Sequence, residues 1–278
     1  MKSRHIRTAG DWLALVIMIL AALIILFPLI ILFINAFKTQ ADYTQHGPLT
    51  LPKALTMSNI TSFWKSSNFP VKLTNSIVIS VCVAIIGVIL SVLNSFALGI
   101  GRVKGNRVIL VLILLANMAP QEALLYPLYV MFKAIGIYDT QLTVIIIFSI
   151  VQSAYGTYLL SSVYGTFPQA ILEAGVMDGA SKWQILWKII LPVSWPTISV
   201  LFVFFFVWTW NEYMIPMSLL ISDSTQTVPL ALAPLQGQYV VNATQLAGAS
   251  LLSIIPTIIF YMFFQHQLTS GIVAGSVK

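Results

Sequence analysis

The chain has 278 residues, of which 58% are hydrophobic and only 8% are charged, with a formal net charge of +6. An ordinary soluble domain carries about 25% charged residues. The composition therefore excludes a typical soluble enzyme and indicates a protein that lies largely in a membrane.

Six apolar segments are long enough to cross a hydrocarbon core of about 30 Å. In chain order they cover approximately residues 13–34, 73–100, 108–132, 142–163, 197–221 and 245–268. The first is too long for the apolar core of a secretory signal, and no small-residue cleavage site follows it. The sequence therefore predicts an all-α membrane protein with six transmembrane helices, in one domain over residues 1–278. The longest predicted loop, about residues 35–72, follows the first helix.

The basic residues predict the orientation of the chain. With the N-terminus inside, the inner segments hold nine of the 14 Lys and Arg residues, including all four arginines. The nine are Lys2, Arg4, Arg7, Arg102, Lys104, Arg107, Lys182, Lys188 and Lys278. Because inner loops carry the excess of positive charge, both termini are expected to be cytoplasmic. The positive charge thus reflects topology, and we expect no nucleic-acid partner.

Signatures of covalent chemistry are missing from the sequence. It contains no GxxxxGK[ST] nucleotide-binding loop, no HExxH or CxxC motif and no serine elbow. His5, His46 and His266 are scattered over both sides of the predicted membrane and cannot form one metal cluster. We therefore predict no catalytic residues, no metal site and no cofactor bound by this chain.

The longest polar and charged stretch in the C-terminal half is Glu173–Pro192, between the predicted fourth and fifth spans. We predict a cytoplasmic helix-turn-helix over residues 167–192, called the elbow from here on. It is expected to begin at Phe167-Pro168, because a proline at the first helical position loses no hydrogen bond. A short helix is predicted from Ala170 to Gly175.

Two residues are expected to shape the turn of the elbow. Asp178 is predicted to cap the second helix by accepting hydrogen bonds from amides near Ser181, and Gly179 relieves the turn. Pro192 is predicted to stop the second helix. Small residues at the turn allow the backbone of a partner to approach closely, and Glu173 can pair with a basic group of that partner. The pattern indicates a joint that receives mechanical input from a soluble protein.

Ionisable residues inside membrane spans are costly and indicate a functional site by default. Glu122, in the predicted third span, and Glu212, in the predicted fifth, meet this criterion. Around Glu212 the cluster Trp210-Asn211-Glu212-Tyr213 combines ring faces with amide and carboxylate groups, which suit a sugar ring. The alternative is that these aromatic residues mark the membrane interface and that Glu212 faces water or another chain.

The elbow sequence resembles the EAA motif of the permease subunits of bacterial ABC importers. In that motif Glu-Ala-Ala is followed by three residues, a glycine and a hydrophobic stretch that ends in Leu-Pro. The matching residues are Glu173, Ala174, Gly179, Leu191 and Pro192, while Gly175 replaces the second alanine and keeps the position small. The form Asp178-Gly179-Ala180 is similar to the carbohydrate branch of the family, within it the maltose-transport inner permease group. Further matches are Asn75-Ser76, Pro127-Leu128-Tyr129, Trp210-Asn211-Glu212, Thr227–Leu230, Gln265 and residues 271–278.

The resemblance implies a machine of several subunits in the bacterial cytoplasmic membrane. Its parts would be a second, homologous permease chain, an ATPase dimer that binds ATP and magnesium, and an extracytoplasmic solute-binding protein. The chain itself would be no enzyme, and it would touch its partners and membrane lipid only. Residues of the elbow would couple it to the ATPase, and residues near Glu212 would line the substrate path. The first set is Glu173, Ala174, Gly175, Asp178 and Gly179, and the second is Trp210, Asn211, Glu212, Tyr213 and Glu122.

The cargo that the resemblance implies is a carbohydrate, and an oligosaccharide within that class. Two alternatives stay open at this point. The same machine could import a sugar alcohol, a glycerol phosphate or an acidic oligosaccharide. A stand-alone secondary transporter is a different class of protein, and it would leave the elbow without a role.

Overall fold

A computed structural model of the protein describes residues 9–101, 103–235 and 242–276, with side chains to Gln265. The described residues form helices and loops and no strands. Their α-helices are α1 (Ala9–Ala36), α2 (Gln40–His46), α3 (Ser58–Ser66), α4 (Phe69–Ser95), α5 (Asn106–Asn117), α6 (Leu125–Ala134), α7 (Gln141–Gly165), α8 (Gln169–Met177), α9 (Lys182–Ile185), α10 (Leu191–Asn211), α11 (Met214–Leu219), α12 (Val228–Leu232) and α13 (Ala243–Ser276). Two π-helical turns, Phe96–Ile100 and Leu186–Ile190, follow α4 and precede α10. Short 3-10 turns cover Gln121–Leu124 and Ala233–Leu235.

Five helical segments among the described residues are long and apolar enough to cross a membrane, and a sixth is added if one bent pair is a single span. The five are Gly10–Ala36, Phe69–Ile100, Gln141–Gly165, Lys182–Asn211 and Ala243–Gln265. The prediction of an all-α membrane protein is confirmed. Lys2, Arg4, Arg7, Arg102 and Lys278, on which the predicted orientation partly depends, lie outside the described residues.

The predicted third span, residues 108–132, is not one continuous helix. The chain bends by 85° between the helix Asn106–Asn117 and the segment Gln121–Ala134. Pro120 lies in the break, with an extended ψ of 120°. Because proline has no N–H and disfavours helical geometry in the residue before it, the helix ends upstream of it.

The predicted fifth span, residues 197–221, has the wrong limits at both ends. The helix already begins at Lys182, through the π turn, and ends at Asn211. Glu212 leaves helical geometry with a ψ of 134°, and the short helix Met214–Leu219 follows. The hydrophobic run therefore continues after the helix has ended, which hydrophobicity alone does not reveal.

Contacts between Cα atoms divide the chain into two compact units. The first comprises Met1–Asn68 with Leu232–Ile255, and the second Phe69–Ala231 with Pro256–Lys278. The predicted single domain stays a prediction. In the first unit, buried Lys38, Asn59 and Thr244 join the loop after α1 to the start of α13 through hydrogen bonds.

In the second unit, α4, α7 and α10 pack closely through small residues. A Cβ atom added to Gly156 would lie 2.8 Å from Ser91 Cβ and 2.9 Å from Phe205 Cζ, so the ring of Phe205 occupies the space that glycine leaves. Gln152 is fully buried and donates to Thr209 Oγ1 at 2.8 Å. Small residues and interhelical hydrogen bonds are the usual means by which helices associate in lipid. This bundle connects the two ends of the unit.

Candidate functional site

Between α7 and α10 the elbow residues form two short helices, α8 and α9, joined by a turn. The predicted short helix is part of α8 (Gln169–Met177). Pro168 is the residue that precedes this helix, with φ −60° and ψ 120°, and not its first helical residue. The difference is one position, and the physical reason for a proline is the same, since an N–H at the start of a helix has no partner within the helix.

The turn of the elbow is a Schellman motif. Gly179 has a φ of 76°, and its N–H donates to Val176 O at 3.0 Å. The N–H of Ala180 donates to Gly175 O, also at 3.0 Å. These two bonds satisfy carbonyls at the end of α8 and require a residue that tolerates positive φ, which glycine does at no steric cost.

The prediction that Asp178 caps the second helix is wrong. Asp178 ends α8, and its own N–H donates to Ala174 O. Ser181 caps α9 instead, in a capping box: its Oγ accepts from Gln184 N at 3.3 Å, and its N–H donates to Gln184 Oε1 at 2.7 Å. The pair Ser-x-x-Gln is the sequence signature of this motif, so the signal was present three residues further on.

The prediction that Pro192 stops the second helix is also wrong. The helix continues through the π turn Leu186–Ile190, where the N–H of Leu191 donates to Leu186 O, five residues back. Pro192 follows directly after this wider turn, as the second residue of α10. A proline within a regular α-helix would lack a bond and meet the carbonyl four residues before it. At the π turn the hydrogen bonds run to the fifth residue back instead of the fourth. This shift lets the helix continue past Pro192 without the clash.

Gly175, predicted as a small position for a partner, is buried inside the elbow. A Cβ atom there would lie 3.0 Å from Ile189 Cδ1 and 3.8 Å from Ile185 Cγ1. Gly175 therefore allows α8 to pack directly on the π turn that precedes α10, and the two elements are in van der Waals contact.

The surface of the elbow is acidic and strongly apolar at once. Glu173, Ala174 and Asp178 are exposed. Met177 is 86% exposed and Val176 60%. Exposed apolar side chains in a contiguous patch mark a surface that binds another molecule. Four of the five predicted coupling residues, all but Gly175, thus lie on a surface suited to a protein partner.

A groove of about 580 Å³ opens beside this surface. Phe96 and Ile100, from the π turn after α4, form one wall, while Glu173 and Met177 of α8 and Lys182 of α9 contribute to the other. An acidic and a basic side chain therefore line the same largely apolar groove. The turn that follows α4 therefore lies beside α8 and α9 at this groove.

The four residues of the predicted sugar-binding cluster do not form one surface. Trp210 is 3% exposed and its ring stacks on Phe206, with centroids 5.8 Å apart. Tyr213 packs against the buried apolar core of the second unit. Asn211 is exposed and donates to Val207 O at 2.7 Å, and Glu212 Oε1 accepts from Met214 N at 3.2 Å. The rings thus face the interior, whereas the polar groups point away from it.

Glu122 lies exposed in the turn at the bend between α5 and α6. Its neighbour Gln121 and Ile215, which lies three residues after Glu212, line one apolar cavity of about 230 Å³. The structure therefore brings the two carboxylate-bearing turns into one neighbourhood, although the cavity between them offers little to a polar solute.

Sequence reasoning missed the role of a polar network that we call the loop lock, formed by Lys72, Asn75, Ser76, Asp139 and the loop residues 221–228. Asn75 Nδ2 donates to Ser224 O at 2.8 Å and to Gln226 O at 2.9 Å. Ser76 Oγ accepts from Val228 N at 2.8 Å. Asn75-Ser76 and Thr227–Leu230 are both pieces of the family resemblance, and the structure joins them. Both segments are recognisable in the sequence, but they lie about 150 residues apart, so their contact is not.

Asp139 and Lys72 complete the loop lock. Asp139 has a φ of 61°, and its carboxylate accepts from Ile221 N at 2.8 Å, Thr225 Oγ1 at 2.8 Å and both the N–H and the hydroxyl of Ser222. Partial burial raises the pKa of Asp139, but these hydrogen bonds outweigh it and hold the pKa below its ordinary value. Lys72 is 4% exposed and its Nζ lies 2.6 Å from Asp223 Oδ1.

Comparison with known proteins assigns this architecture to a family. Residues 94–272, which include the elbow and the 221–228 loop, match the family described as binding-protein-dependent transport system inner membrane component. The chain belongs to this family. It is therefore a permease subunit of an ABC transport system, a multi-pass protein of the membrane, and its relatives are permeases rather than enzymes.

Individual relatives of the permease cover nearly its whole length. The inner membrane ABC transporter permease protein YcjP of Escherichia coli is 30% identical over 92% of each chain. The lactose transport system permease protein LacG of Rhizobium radiobacter is 30% identical over 93% of each chain. The diacetylchitobiose uptake system permease protein DasC of Streptomyces coelicolor is 27% identical over 91% of this chain and 92% of the relative.

Solved structures share the fold of the permease. One is a bacterial ABC transporter involved in the import of the acidic polysaccharide alginate, with a TM-score of 0.77 and 23% identity over 94% of this chain and 98% of that chain. A bacterial alginate ABC transporter in complex with an alginate pentasaccharide-bound periplasmic protein gives a TM-score of 0.67 and 17% identity, over 92% and 94% of the two chains.

Proposed function

We propose that this permease is one of two permease chains in an ATP-driven importer and that it moves a carbohydrate into the cytoplasm. The elbow carries the proposal. It is a locally bonded helix-turn-helix that exposes Glu173 and Met177 and contacts the π turn before α10 through Gly175. A soluble ATPase that binds this surface moves α8, and α8 moves α10.

The ATPase partner follows from the chemistry that this chain lacks. Its sequence has no nucleotide-binding loop, so the energy of ATP and its magnesium ion has to enter on separate subunits. To shift a two-state equilibrium from 1:99 to 99:1 requires about 5.5 kcal/mol of differential binding. The elbow, with its Schellman turn and capping box, is the element of this chain best suited to receive that energy.

An oligosaccharide is the cargo that we favour, delivered by an extracytoplasmic solute-binding protein. Relatives with similar coverage are named for lactose, diacetylchitobiose and arabinooligosaccharides. An acidic or sulfonated cargo is the second candidate, since one relative is named for sulfoquinovosyl glycerol and a structural neighbour for alginate. In both cases Glu122, Asn211 and Glu212 are the polar groups of this chain proposed to line the path, with Trp210 and Tyr213 fixing their backbone.

The proposed orientation places the elbow and both termini in the cytoplasm and the loop lock outside, in a bacterial inner membrane. A reporter fused at Lys278 is then expected to report the cytoplasm, and one inserted at Ser224 the exterior. Reporters on the same side would contradict this orientation without affecting the assignment to the family.

Transport by the assembled importer tests the function. The chain is co-expressed with a second permease and ATPase subunits, reconstituted in vesicles and supplied with a binding protein and labelled oligosaccharide. We expect uptake that requires ATP on the side of the membrane that the elbow faces. Uptake should cease without the binding protein on the opposite side. Uptake by this chain alone, driven by an ion gradient, would instead identify a secondary transporter. Uptake of alginate oligomers but not of neutral ones would identify the acidic class.

A further inference from the structure

The loop between α2 and α3 exposes an unusual amount of apolar side chain. We call residues 48–57 the apolar loop. Leu49 is 66% exposed, Leu51 75%, Leu55 79% and Met57 56%. Single exposed apolar residues need no explanation, but four within nine positions form a patch of the kind that marks a binding surface.

The exposure of these side chains is imposed by a fixed backbone. Lys38 is fully buried, and its Nζ donates to Thr50 O at 2.6 Å, Thr50 Oγ1 at 2.8 Å and Gly47 O at 2.9 Å. The N–H of Thr56 donates to Phe37 O at 3.0 Å. Because Thr50 and Thr56 are held against the chain that follows α1, the residues on either side of each threonine point outward.

The middle of the apolar loop is held as well. The N–H of Lys53 donates to Asp42 Oδ2 at 3.1 Å, and the Lys53 side chain is exposed. The backbone is thus bonded near both ends and at its centre. The exposed Lys53 lies along the loop between two exposed apolar pairs, Leu49 with Leu51 and Leu55 with Met57.

The position of the apolar loop relative to α1 indicates its depth. Asn35, in the last turn of α1, donates from Nδ2 to Pro48 O at 3.0 Å. Pro48 also lines a cavity of about 280 Å³ together with Pro28, Ile31 and Leu32 of α1. The continuous apolar run of α1 ends at Ile34. The start of the loop therefore lies level with the last two turns of α1, and no residue in the most apolar part of α1 is buried against the described chain.

We propose that the apolar loop is a membrane anchor that inserts Leu49, Leu51, Leu55 and Met57 into the boundary between lipid headgroups and acyl chains. At this depth the surface that α1 presents to lipid continues directly onto the loop. The Lys53 ammonium is placed to reach a lipid phosphate while its stem stays in the apolar layer. A water-soluble partner would have to enter the headgroup layer to cover the same leucines. The inference concerns lipid contact and does not rest on the proposed function.

Depth-dependent quenching tests the anchor in the full chain, purified with its partner subunits in lipid nanodiscs. In a Cys82→Ser background, which removes the single cysteine of the sequence, a polarity-sensitive fluorophore is attached at Leu51→Cys or Leu55→Cys. Gln45→Cys, on the exposed side of α2, is the matched control. Each label is quenched with iodide in water and with lipids that carry a nitroxide near the top of the acyl chain.

We expect the labels at residues 51 and 55 to emit at shorter wavelength, to be quenched by the lipid nitroxide and to lose most iodide quenching, with the reverse at residue 45. Iodide quenching equal to that at residue 45 would overturn the anchor. Labels that neither quencher reaches would show that a protein subunit covers the loop, which also overturns it. Iodide quenching that disappears only when the solute-binding protein is added would assign the surface to that protein instead.

Discussion

The elbow and the loop lock lie at opposite ends of α4 and α7, because each of these helices starts at the lock and ends beside the elbow. The elbow is held by hydrogen bonds between residues three to five positions apart, as in Gly179 to Val176 and Ser181 to Gln184. The loop lock is held by bonds between residues 82 to 152 positions apart. One end is local structure, and the other is built only by the tertiary fold.

The two ends also differ in what they expose. In the loop lock, Lys72, Asn75 and Ser76 are at most 5% exposed. In the elbow, Met177 is 86% exposed, and Glu173 and Asp178 are exposed beside it. An element that keeps its shape through local bonds leaves its surface available to a partner. The difference fits the proposal that the elbow end receives force, whereas the lock joins the starts of α4 and α7 to the 221–228 loop.

The largest expected effect is that of Gly179→Arg in the elbow. Gly179 has a φ of 76°, and a Cβ there meets nothing within 4 Å. An L-residue at this φ costs about 1–2 kcal/mol, which leaves the chain folded, but the long side chain occupies the surface proposed for the ATPase. We expect normal membrane insertion with loss of solute uptake and of ATPase co-purification.

Gly105→Arg is the matched control for this variant. Gly105 has a φ of 78° and equally open surroundings, but it lies before α5 and outside the elbow. We expect it to retain uptake. Equal loss in both variants would attribute the effect to backbone strain, and normal uptake by an inserted Gly179→Arg protein would show that the elbow transmits no force.

The next effect is that of Asn75→Ala in the loop lock, where we expect lower stability rather than uncoupling. The change removes the donor to Ser224 O and Gln226 O and the acceptor of Gln141 Nε2, and a typical hydrogen bond of this kind contributes about 0.5–1.5 kcal/mol. Thermal unfolding of the purified complex should occur at lower temperature, while each remaining folded molecule keeps its ATPase coupling. Thr74→Ala, which removes only a bond to Pro70 O within the same helix, should change little. An Asn75→Ala complex that unfolds at the same temperature as the unmodified complex but has lost its ATPase coupling would contradict the different roles assigned to the elbow and the loop lock.

The elbow could be predicted from the sequence because its information is local. The turn at Gly179 and the short helix before it follow from residues within one stretch. The errors there came from choosing Asp178 as the cap instead of Ser181, three residues further on, and from a π turn before Pro192 that has no simple sequence signal. The hydrophobic pattern likewise predicted where helices exist but not the 85° bend at Pro120.

The loop lock and the positions of the aromatic side chains near Glu212 could not be predicted in the same way. Asn75-Ser76 and Thr227–Leu230 were recognisable as marks of a family, but their contact depends on how α4, α7 and α10 pack. Trp210 was assigned to a solute surface, yet its ring stacks on Phe206 in the interior. A single sequence does not say on which side of a fully apolar helix a ring lies.

A smaller effect is expected from Glu212→Gln, at the residue that directly follows α10. Glutamine retains the Oε1 that accepts from Met214 N, so the backbone is preserved and only the charge is removed. If Glu212 contacts the solute, the KM for uptake should rise by up to about tenfold, or 1.4 kcal/mol, with basal ATP hydrolysis unchanged. Glu212→Ala removes the backbone bond as well and should also lower stability. An unchanged KM in both variants would support the alternative that Glu212 faces water or another chain.

The smallest expected effect is a pH dependence of stability that comes from Asp139 in the loop lock. Hydrogen bonds from Ser222, Thr225 and Ile221 outweigh its partial burial and lower the pKa of the folded carboxyl. A group whose pKa is depressed by folding contributes stability that is fully present above its unfolded pKa, about 3.9, and that is lost as pH falls through the folded pKa. We therefore expect Asp139→Asn, which tolerates the same positive φ, to lower the unfolding temperature at pH 6 and to differ progressively less from the unmodified protein below pH 4. Because Asp42 also has a lowered pKa, the informative quantity is the difference between the two proteins at each pH. A difference that stays constant down to pH 3 would show that the charge of Asp139 does not stabilise the loop lock.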